Sequence, residues 1–495
     1  MSTSHVDIRE VGVITELKGG VIKLSGLPSC TMGQLIELGD AARGFVIGFT
    51  DTEVLALLLG AESALAVGQR VDVRQQALRV PVGDELLGRV VTPLGEPLDG
   101  GPMPEATALR PLFQEAPGIM VRSPVDRQLA TGLKAIDTMI PVGRGQRELI
   151  IGDRMTGKTS LALDTILSQR GQQVLCIYCS IGQAHQKLRH VTQLLREQKA
   201  LEHTVIVAAP ASSEASVQFL APFAACAIGE QFMQQGKDVL VIFDDLSKHA
   251  WAYRQLSLLL ELPPGREAYP GDMFYVHAQL MERAGQLNHE HGGGSMTFLP
   301  ICETQQGDVT GYICSNLISM TDGQLYLSSE LFYEGVKPAI DVGLSVSRIG
   351  NKVQSHALRW VSGSLRLDLL QHQELLRLTR FASTTSAQFA TRSRRGALLR
   401  RLITQPVHQP VGLEDQTLLF YAFQTGRMDR LTDEGIAICV SGLSRRLPAF
   451  ALEVVQRNEP LTPAAHAKID AGLEDALSPY RQPEEPAYAV AKTPA

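Results

Sequence analysis

One stretch of the sequence has the residue types and the spacing of a phosphate-binding loop. It follows the pattern Gly, four residues, Gly-Lys-Thr, and consists of Gly152, Asp153, Arg154, Met155, Thr156, Gly157, Lys158, Thr159 and Ser160. In such a loop the glycines let backbone N–H groups turn toward phosphate oxygens, and the lysine reaches the terminal phosphates. The hydroxyl of Thr159 suits Mg²⁺. The sequence therefore predicts a site for a nucleoside triphosphate.

The flanking segments are the ones that this motif requires. An apolar run at 149–151 leads into the loop, and apolar residues recur at helical spacing over 161–167. Farther along, an apolar strand at 239–243 ends in Asp244 and Asp245. Proteins with a phosphate loop use an acidic residue at such a strand end to orient Mg²⁺ or its waters. We therefore predict Asp244 as the metal-side carboxylate, acting through water.

The remaining chain divides into regions of different pattern. Short strands at 11–17, 21–24, 45–49, 54–59 and 71–73 indicate a small β-barrel. After a segment rich in Gly and Pro at 80–145, helices alternate with apolar strands, which we place at 174–179, 204–209, 239–243, 296–299, 311–313 and 324–327. Such runs between helices predict a parallel sheet covered on both faces. From about residue 353 the apolar spacing is helical.

The sequence thus predicts a multidomain fold: an N-terminal β-barrel, a central α/β nucleotide-binding domain and a C-terminal α-helical domain. We place their boundaries at 1–76, 77–353 and 354–480, followed by a tail at 481–495 that we expect to be disordered. The net charge of −6 gives no electrostatic support for nucleic-acid binding, and no run of 18 apolar residues predicts a membrane span. The amino terminus has the pattern of neither a secretion signal nor a transit peptide.

Two other patterns could suggest metal binding. Cys176 and Cys179 are three residues apart in a predicted strand, so their side chains point to opposite faces and cannot share a metal or a disulfide. His289 and His291 flank Glu290, but three glycines follow and no third ligand cluster lies near in the sequence. A solvated loop is the favoured interpretation. Seven cysteines in 495 residues suit a reducing compartment.

Five long strings of residues carry a family resemblance. They are the segments at 141–154, 244–248, 263–272, 303–309 and 344–350, which read PVGRGQRELIIGDR, DDLSK, PPGREAYPGD, ETQQGDV and LSVSRIG. From about residue 11 to residue 477 the chain resembles the α subunit of F-type ATP synthases. The resemblance implies ATP or ADP with Mg²⁺ as ligands and a RecA-like central domain. It also implies a ring of three α and three β subunits around a rotating central stalk (γ and ε), held by a peripheral stalk on the cytoplasmic face of the bacterial membrane.

Gln183 distinguishes this chain from the catalytic members of the wider family that it resembles. Those members carry a glutamate shortly after the second strand, where its carboxylate polarises the attacking water. Gln183 can hydrogen-bond a water but cannot take a proton at neutral pH. We therefore expect a non-catalytic nucleotide site that includes Gln183, and little ATPase activity from the chain alone.

The resemblance assigns a catalytic role in trans to Arg348. In the family this arginine reaches across the interface to the γ-phosphate in the neighbouring β subunit's site. An always-charged planar guanidinium suits the charge that develops on a transferring phosphoryl group. Ser345, three residues earlier, is expected to shape the same interface.

Several positions depart from the family pattern. Met155 replaces a glutamine of the phosphate loop, Glu261-Leu262 replaces Arg-Arg, and residues 383–386 replace an acidic turn near the stalk. The helix of about twenty residues that precedes the barrel in the family is not seen in this sequence. These departures favour a divergent branch, the alternate (N-type) F-type ATPases of bacteria.

Two other classes compete with this interpretation. A self-sufficient hexameric ATPase of a secretion or flagellar export apparatus would hydrolyse ATP alone, but it would need the missing glutamate. An RNA-translocating hexamer of the Rho type would bind RNA on its barrel. Phe45 and Phe49 are the only aromatic residues in the predicted barrel strands, so base stacking has little support.

Overall fold

A computed structural model describes residues 10–38, 42–60, 62, 65–379, 387–429 and 431–481. Backbone contacts group them into two compact units. The first unit holds the described residues up to 131, together with 140–353 and 406–410, and the second holds 132–139 and the rest of the C-terminal region. The predicted tail beyond Arg481, the altered turn at 383–386 and residues 1–9 lie outside the described residues.

A closed six-stranded barrel forms the N-terminal part of the first unit, as the sequence predicts. Its strands are β1 (Glu10–Lys18), β2 (Val21–Ser25), β3 (Gln34–Glu37), β4 (Arg43–Phe49), β5 (Val54–Leu59) and β6 (Arg70–Ala77). The order is β1-β2-β5-β4-β3-β6, and β6 closes on β1. The sequence prediction missed β3, because only two of its four residues, Leu35 and Ile36, are apolar.

Strand β5 is buried on both of its faces. Successive side chains of a strand point to opposite sides, and here each side has a different core. Val54, Ala56 and Leu58 belong to the barrel interior. Leu55 and Leu57 belong instead to the larger core of the first unit. The uniformly apolar β5 therefore joins the barrel to the rest of this unit.

A ten-stranded sheet forms the centre of the first unit. Together with the separate pair β7–β9, its strands are β7 (Arg79–Val82), β8 (Val90–Val91), β9 (Ala108–Pro111), β10 (Arg122–Ser123), β11 (Leu149–Asp153), β12 (Val174–Ile181), β13 (Thr204–Ala209), β14 (Asp238–Asp244), β15 (Gly285–Leu287), β16 (Ser295–Thr304), β17 (Gly323–Leu327) and β18 (Val346–Ser347). The main order is β18-β17-β11-β16-β14-β12-β13-β8, and the pairs from β17 to β8 are parallel. Parallel pairing brings the carboxyl ends of these strands to one edge.

Seven helices belong to the first unit within the described residues. They are α2 (Lys158–Ser168), α3 (His185–Glu197), α4 (Ala215–Gln234), α5 (Leu246–Leu259), α6 (Met273–Met281), α7 (Tyr312–Met320) and α8 (Ser329–Tyr333). Helix α4 is apolar around most of its surface and packs on β12, β13 and β14. Its buried Glu230 accepts two hydrogen bonds from Arg283, at 2.6 and 2.8 Å. This ion pair satisfies two charges that burial would otherwise penalise heavily.

The predicted strand at 311–313 is wrong, because these residues begin helix α7. The buried residues of α7 are Ile313, Cys314 and Leu317, which lie on one face of a helix. Residues 311–313 considered alone are compatible with a strand, and the helical period of the apolar residues becomes visible only when the residues that follow are included.

The second unit is helical, as predicted. Its helices are α1 (Lys134–Met139), α9 (His356–Ser362), α10 (Leu365–Thr379), α11 (Ala387–Ile403), α12 (Leu413–Gln424), α13 (Asp433–Ser441), α14 (Ala449–Gln456) and α15 (Pro463–Leu477). In α1 the buried Asp137 carboxylate accepts hydrogen bonds from Gly132 N and Gln416 Nε2, at 2.9 and 2.8 Å. These bonds tie the early segment to the later helices. Among the described residues, no helix combines the length and the apolarity that crossing a bilayer requires.

Candidate nucleotide-binding site

The phosphate-loop motif occupies the turn between β11 and α2, the strand–loop–helix setting that the motif needs. Gly157 stands at the N-cap of α2 with φ of 102°, a left-handed conformation that glycine adopts without steric cost. At Gly152 an added Cβ would lie 2.7 Å from the carbonyl oxygen of Leu327 on β17, so only glycine fits beside this strand. Met155 has a φ of 65° and is 84% exposed.

Lys158 folds back over the loop. Its Nζ donates to the carbonyl oxygens of Gly152 and Asp153, at 2.8 and 2.6 Å. Burial lowers the pKa of this ammonium, although the acidic residues around it favour the charged form. The lysine is thus already inside the loop, where a phosphate group would replace carbonyl oxygens as its partner.

Asp153 fixes the base of the loop to the neighbouring strands. Its carboxylate accepts hydrogen bonds from Thr304 Oγ1 at 2.6 Å, Gly307 N at 2.7 Å and Ser329 Oγ at 2.8 Å. Burial opposes ionisation of this group, but the hydrogen bonds outweigh it and lower the pKa. The loop is therefore attached to the segment that follows β16 and to the start of α8.

Asp244 is the centre of a second set of contacts. Its Oδ2 accepts from Thr159 Oγ1 at 2.8 Å, Tyr178 OH at 2.6 Å and Lys187 Nζ at 3.0 Å, while its Oδ1 accepts from Gln183 Nε2 at 2.9 Å. The parallel register of β12 and β14 explains this meeting, because it aligns Ser180 with Asp244. The carboxylate is held in one orientation by donors from three elements.

The amide of Gln183 lies between an acidic residue, Asp244, and a basic residue, Lys248. Its Nε2 faces Asp244, and its Oε1 accepts a hydrogen bond from Lys248 Nζ at 2.9 Å. The same ammonium donates to the carbonyl oxygen of Gly182 at 2.9 Å. Gln183 is buried, and the two ends of its amide are both used. A neutral side chain therefore bridges the Asp244 carboxylate and the Lys248 ammonium.

Asp245 has a different role from its neighbour. Its Oδ1 accepts a hydrogen bond from Lys248 N at 2.8 Å, which caps the start of α5. Burial, with the adjacent Asp244 as a second cause, raises the pKa of Asp245 to about 7. Asp245 is thus a buried capping residue, and Asp244 presents the contacts to Thr159.

These side chains share one cavity of about 640 Å³. Four of the residues that line it are cationic: Arg154, Lys158, Lys187 and Lys248. Three are acidic: Asp244, Asp245 and Glu303. Two side-chain oxygens, Thr159 Oγ1 and Asp244 Oδ2, lie within 2.8 Å of each other, and oxygen donors are what Mg²⁺ prefers. The donor set fits a magnesium nucleotide.

Comparisons with known proteins agree with this architecture. The model of the ATP synthase alpha/beta family, nucleotide-binding domain, matches residues 132–347, and that of the C-terminal domain of the same chains matches 354–476. A relative named ATP synthase subunit alpha from Latilactobacillus sakei is 45% identical over 468 residues, covering 94% of this chain and 92% of the relative. The chain belongs to the ATP synthase subunit alpha family. Relatives of the same name from Dehalococcoides mccartyi and Desulforudis audaxviator are 44% and 45% identical, over 96% and 95% of this chain and 95% and 94% of theirs.

Two residues that the sequence assigned to catalysis in this alpha-family chain lie outside the cavity. Ser345 is fully buried; its Oγ donates to the carbonyl oxygen of Asp341 at 2.6 Å and accepts from Tyr326 N at 2.9 Å. Arg348 is exposed just after β18, and its N donates to the carbonyl oxygen of Asp322 at 2.8 Å. The structure therefore brings the phosphate loop, Gln183 and Asp244 together and leaves Arg348 apart from them.

Sequence reasoning assigned no role to Tyr178, Lys187 or Trp251, of which the last two line the cavity. Tyr178 lies inside β12, and its hydroxyl bond to Asp244 depends on strand register, which the sequence does not display. Lys187 and Trp251 follow Gln183 and Lys248 by four and three residues. Lys248 and Trp251 both lie in α5, where this spacing puts them on one helix face, so for Trp251 a signal was present in the sequence.

One departure from the family pattern has a clear structural consequence. Glu261, which by the family resemblance replaces an arginine, pairs with Lys23 of β2 at 3.2 Å. Lys23 also pairs with Glu16 of β1, at 2.7 Å. The negative charge that Glu261 brings to this position is thus paired with a lysine of the barrel.

Proposed function

We propose that this alpha-family chain is the non-catalytic, nucleotide-binding subunit of a rotary F-type ATP synthase or ion-pumping ATPase. The observation that carries this proposal is the neutral amide of Gln183, bonded to Asp244 on one side and to Lys248 on the other. A proton acceptor at this position is what ATP hydrolysis requires of such a site. Bound ATP should therefore persist.

The cavity supports binding of ATP or ADP. The backbone of the phosphate loop, the start of α2 and Lys158 would hold the phosphates. Thr159 and Asp244 would hold Mg²⁺, directly and through water respectively, and the ion would neutralise phosphate charge. Met155 brings no amide to the loop, so the phosphates would depend on the backbone and on the nearby cations.

We further propose that Arg348 acts on the nucleotide of an adjacent β subunit. Its exposure, and its place at the sheet edge beyond β17, leave the guanidinium available to a neighbouring chain. A guanidinium that enters another site can stabilise the charge of phosphoryl transfer there. Ser345 would act as a positioning residue, because its hydroxyl joins the β17 backbone to the turn that precedes β18.

The assembly in this proposal is an alternating ring of three α and three β subunits, with the central and peripheral stalks. It would lie at the cytoplasmic face of the bacterial membrane, with the rotor contacted indirectly. The domain boundaries at 76/77 and 353/354 and the placement in the alternate branch belong to the same proposal. The branch placement rests on the departures from the family pattern, among them Met155 and Glu261.

Purification of the chain alone tests the non-catalytic role. We expect nucleotide to bind, and ATP turnover to appear only after β and central-stalk subunits are added. Sustained turnover by the isolated chain would contradict the proposal and favour a self-sufficient hexameric export ATPase. The matched control is Lys158→Met, which removes the phosphate-binding ammonium and identifies any activity that comes from contaminating enzymes.

A further inference from the structure

Two cysteines lie side by side next to the phosphate loop. Cys302 is near the end of β16, and Cys314 is in the first turn of α7. Their Sγ atoms are 2.8 Å apart, and both are free thiols. A disulfide has an S–S length of about 2.05 Å, so the two sulfur atoms need to approach by less than about 1 Å to form one.

The surroundings give the two thiols different roles. Cys302 has 0% of its surface exposed, whereas Cys314 has 5%. The Ser247 hydroxyl accepts a hydrogen bond from Glu303 N at 2.9 Å and lies 3.5 Å from Cys302 Sγ, which keeps the end of β16 and its sulfur in place. Cys314 is thus the sulfur that a small oxidant reaches first.

The charge state of the pair points the same way. A hydrogen bond from Cys302 lowers the pKa of Cys314, with a smaller contribution from the positive charge of Lys158. At the five other cysteines of the chain burial raises the thiol pKa; they are Cys30, Cys176, Cys179, Cys226 and Cys439. Since the thiolate is the reactive form, Cys314 is the strongest nucleophile among the seven.

The segment between the two cysteines contacts the phosphate loop. Thr304 Oγ1 and Gly307 N both donate to the Asp153 carboxylate, at 2.6 and 2.7 Å. A bond between residues 302 and 314 would close this segment into a short covalent loop. Closing it would restrict the movements of the segment that can release Asp153.

We propose that Cys302 and Cys314 form a redox-sensitive dithiol, which hydrogen peroxide converts reversibly to a disulfide that locks the 303–313 segment against the phosphate loop. The Cys314 thiolate attacks one peroxide oxygen, the O–O bond breaks, and a sulfenic acid and water form once protons are taken up. The Cys302 thiol then attacks this sulfur, the S–O bond breaks, and a second water leaves. Both sulfurs are oxidised, the peroxide is reduced, and a dithiol reductant reverses the change.

Oxidation of the full-length chain with hydrogen peroxide tests the bond itself. After free thiols are blocked by alkylation, cleavage on the carboxyl side of glutamate separates Cys302 from Cys314, because Glu303 lies between them. We expect the peptides 291–303 and 304–330 to be recovered joined, two hydrogens lighter than the sum of the two free-thiol peptides and without alkyl groups, and to be separated again by dithiothreitol. Recovery of both peptides alkylated, or of Cys314 as an irreversible sulfinic acid without the joined pair, would overturn the proposal.

The effect on the phosphate loop rests on the proposed nucleotide site and has its own readout. We expect dissociation of a fluorescent ATP analogue from the oxidised chain to be slower by about fivefold, equivalent to about 1 kcal/mol in the barrier. Cys302→Val and Cys314→Ala should each abolish this response, and Cys439→Ala, a buried cysteine of the second unit, should retain it. A joined pair with unchanged dissociation would contradict the locking effect. Failure of the reduced chain to bind the analogue would contradict the nucleotide site instead, and the peptide measurement would still decide the dithiol.

Discussion

Replacement of Gln183 by glutamate tests the role of the amide most sharply. Glutamine donates from Nε2 to Asp244 and accepts at Oε1 from Lys248, each at 2.9 Å. Glutamate has nearly the same shape, so the contact with Lys248 can persist. The contact with Asp244 cannot, because two ionised carboxylate oxygens would then face each other without a proton between them.

The size of this repulsion follows from the distance. Two unit charges 2.9 Å apart at an effective dielectric constant of 20 repel by about 6 kcal/mol. Lys187 and Lys248 offset part of this cost, since each lies within 3.0 Å of one of the two side chains. Bound Mg²⁺ would relieve the repulsion, so nucleotide binding should depend more strongly on Mg²⁺ than in the wild type.

The assay measures how long bound ATP survives as ATP. A carboxylate that can take a proton from water contributes about 10²–10⁴ to rate in general-base catalysis. We therefore expect Gln183→Glu to convert bound ATP to ADP at least about tenfold faster than the wild type in single-turnover quench experiments. Gln183→Ala removes the amide without supplying a base and should not accelerate conversion.

The control for other acids in the cavity is Glu303→Gln. Besides Asp244 and Asp245, Glu303 is the third acidic residue that lines the cavity, and this variant removes its carboxylate. We expect no change in ATP lifetime. Unchanged ATP retention in Gln183→Glu would refute the idea that the neutral amide keeps the site non-catalytic. Equal acceleration in Gln183→Glu and Gln183→Ala would refute it too, because the effect could not then come from the new base.

Three further predictions concern binding and stability. Lys158→Met should weaken ATP binding by about 10- to 100-fold in titration calorimetry, because a charged hydrogen bond to phosphate is lost; unchanged affinity would argue against its role. Arg283→Met leaves Glu230 buried without its partner and should lower the free energy of unfolding in urea by about 3–5 kcal/mol, while a change below about 1 kcal/mol would contradict this. Burial lowers the pKa of His249 to about 4 and that of His277 well below its usual range, so the unfolded chain binds more protons below about pH 6.5. Stability present above that pH should fall toward pH 4 by about 1.4 kcal/mol per unit for each histidine, and His277→Asn should make the slope shallower; an identical slope would exclude His277 as a cause.

The parts of the fold that sequence predicted correctly are those with strong local signals. The phosphate loop, the strand before it and the helix after it all follow from glycine spacing and apolar period. Strand 204–209 has the same bounds in prediction and structure because a buried parallel strand is a continuous apolar run. The barrel was predictable from its turns, except for β3, whose pairing depends on partners distant in sequence.

The parts that sequence could not give depend on register and on side-chain reach. The bond from Tyr178 to Asp244 exists because β12 and β14 are aligned in one particular register. Cys302 and Cys314 lie next to each other because strand β16 packs beside helix α7. The sequence pattern at 311–313 had instead predicted a strand at the start of that helix. Grouping of the α1 segment with the C-terminal helices likewise rests on long-range hydrogen bonds of Asp137. Local patterns carry no information about such contacts.

Turnover by the assembled complex with Arg348→Lys tests the central claim most directly. Lysine keeps the charge but loses the planar fork that suits a phosphoryl group in transfer. We expect steady-state ATP hydrolysis by complexes reassembled with β and central-stalk subunits to fall by about 10³-fold or more, with unchanged nucleotide binding to this chain. Arg170→Lys, at another exposed arginine near the end of α2, should retain full turnover. Near-normal turnover of Arg348→Lys complexes would contradict the account.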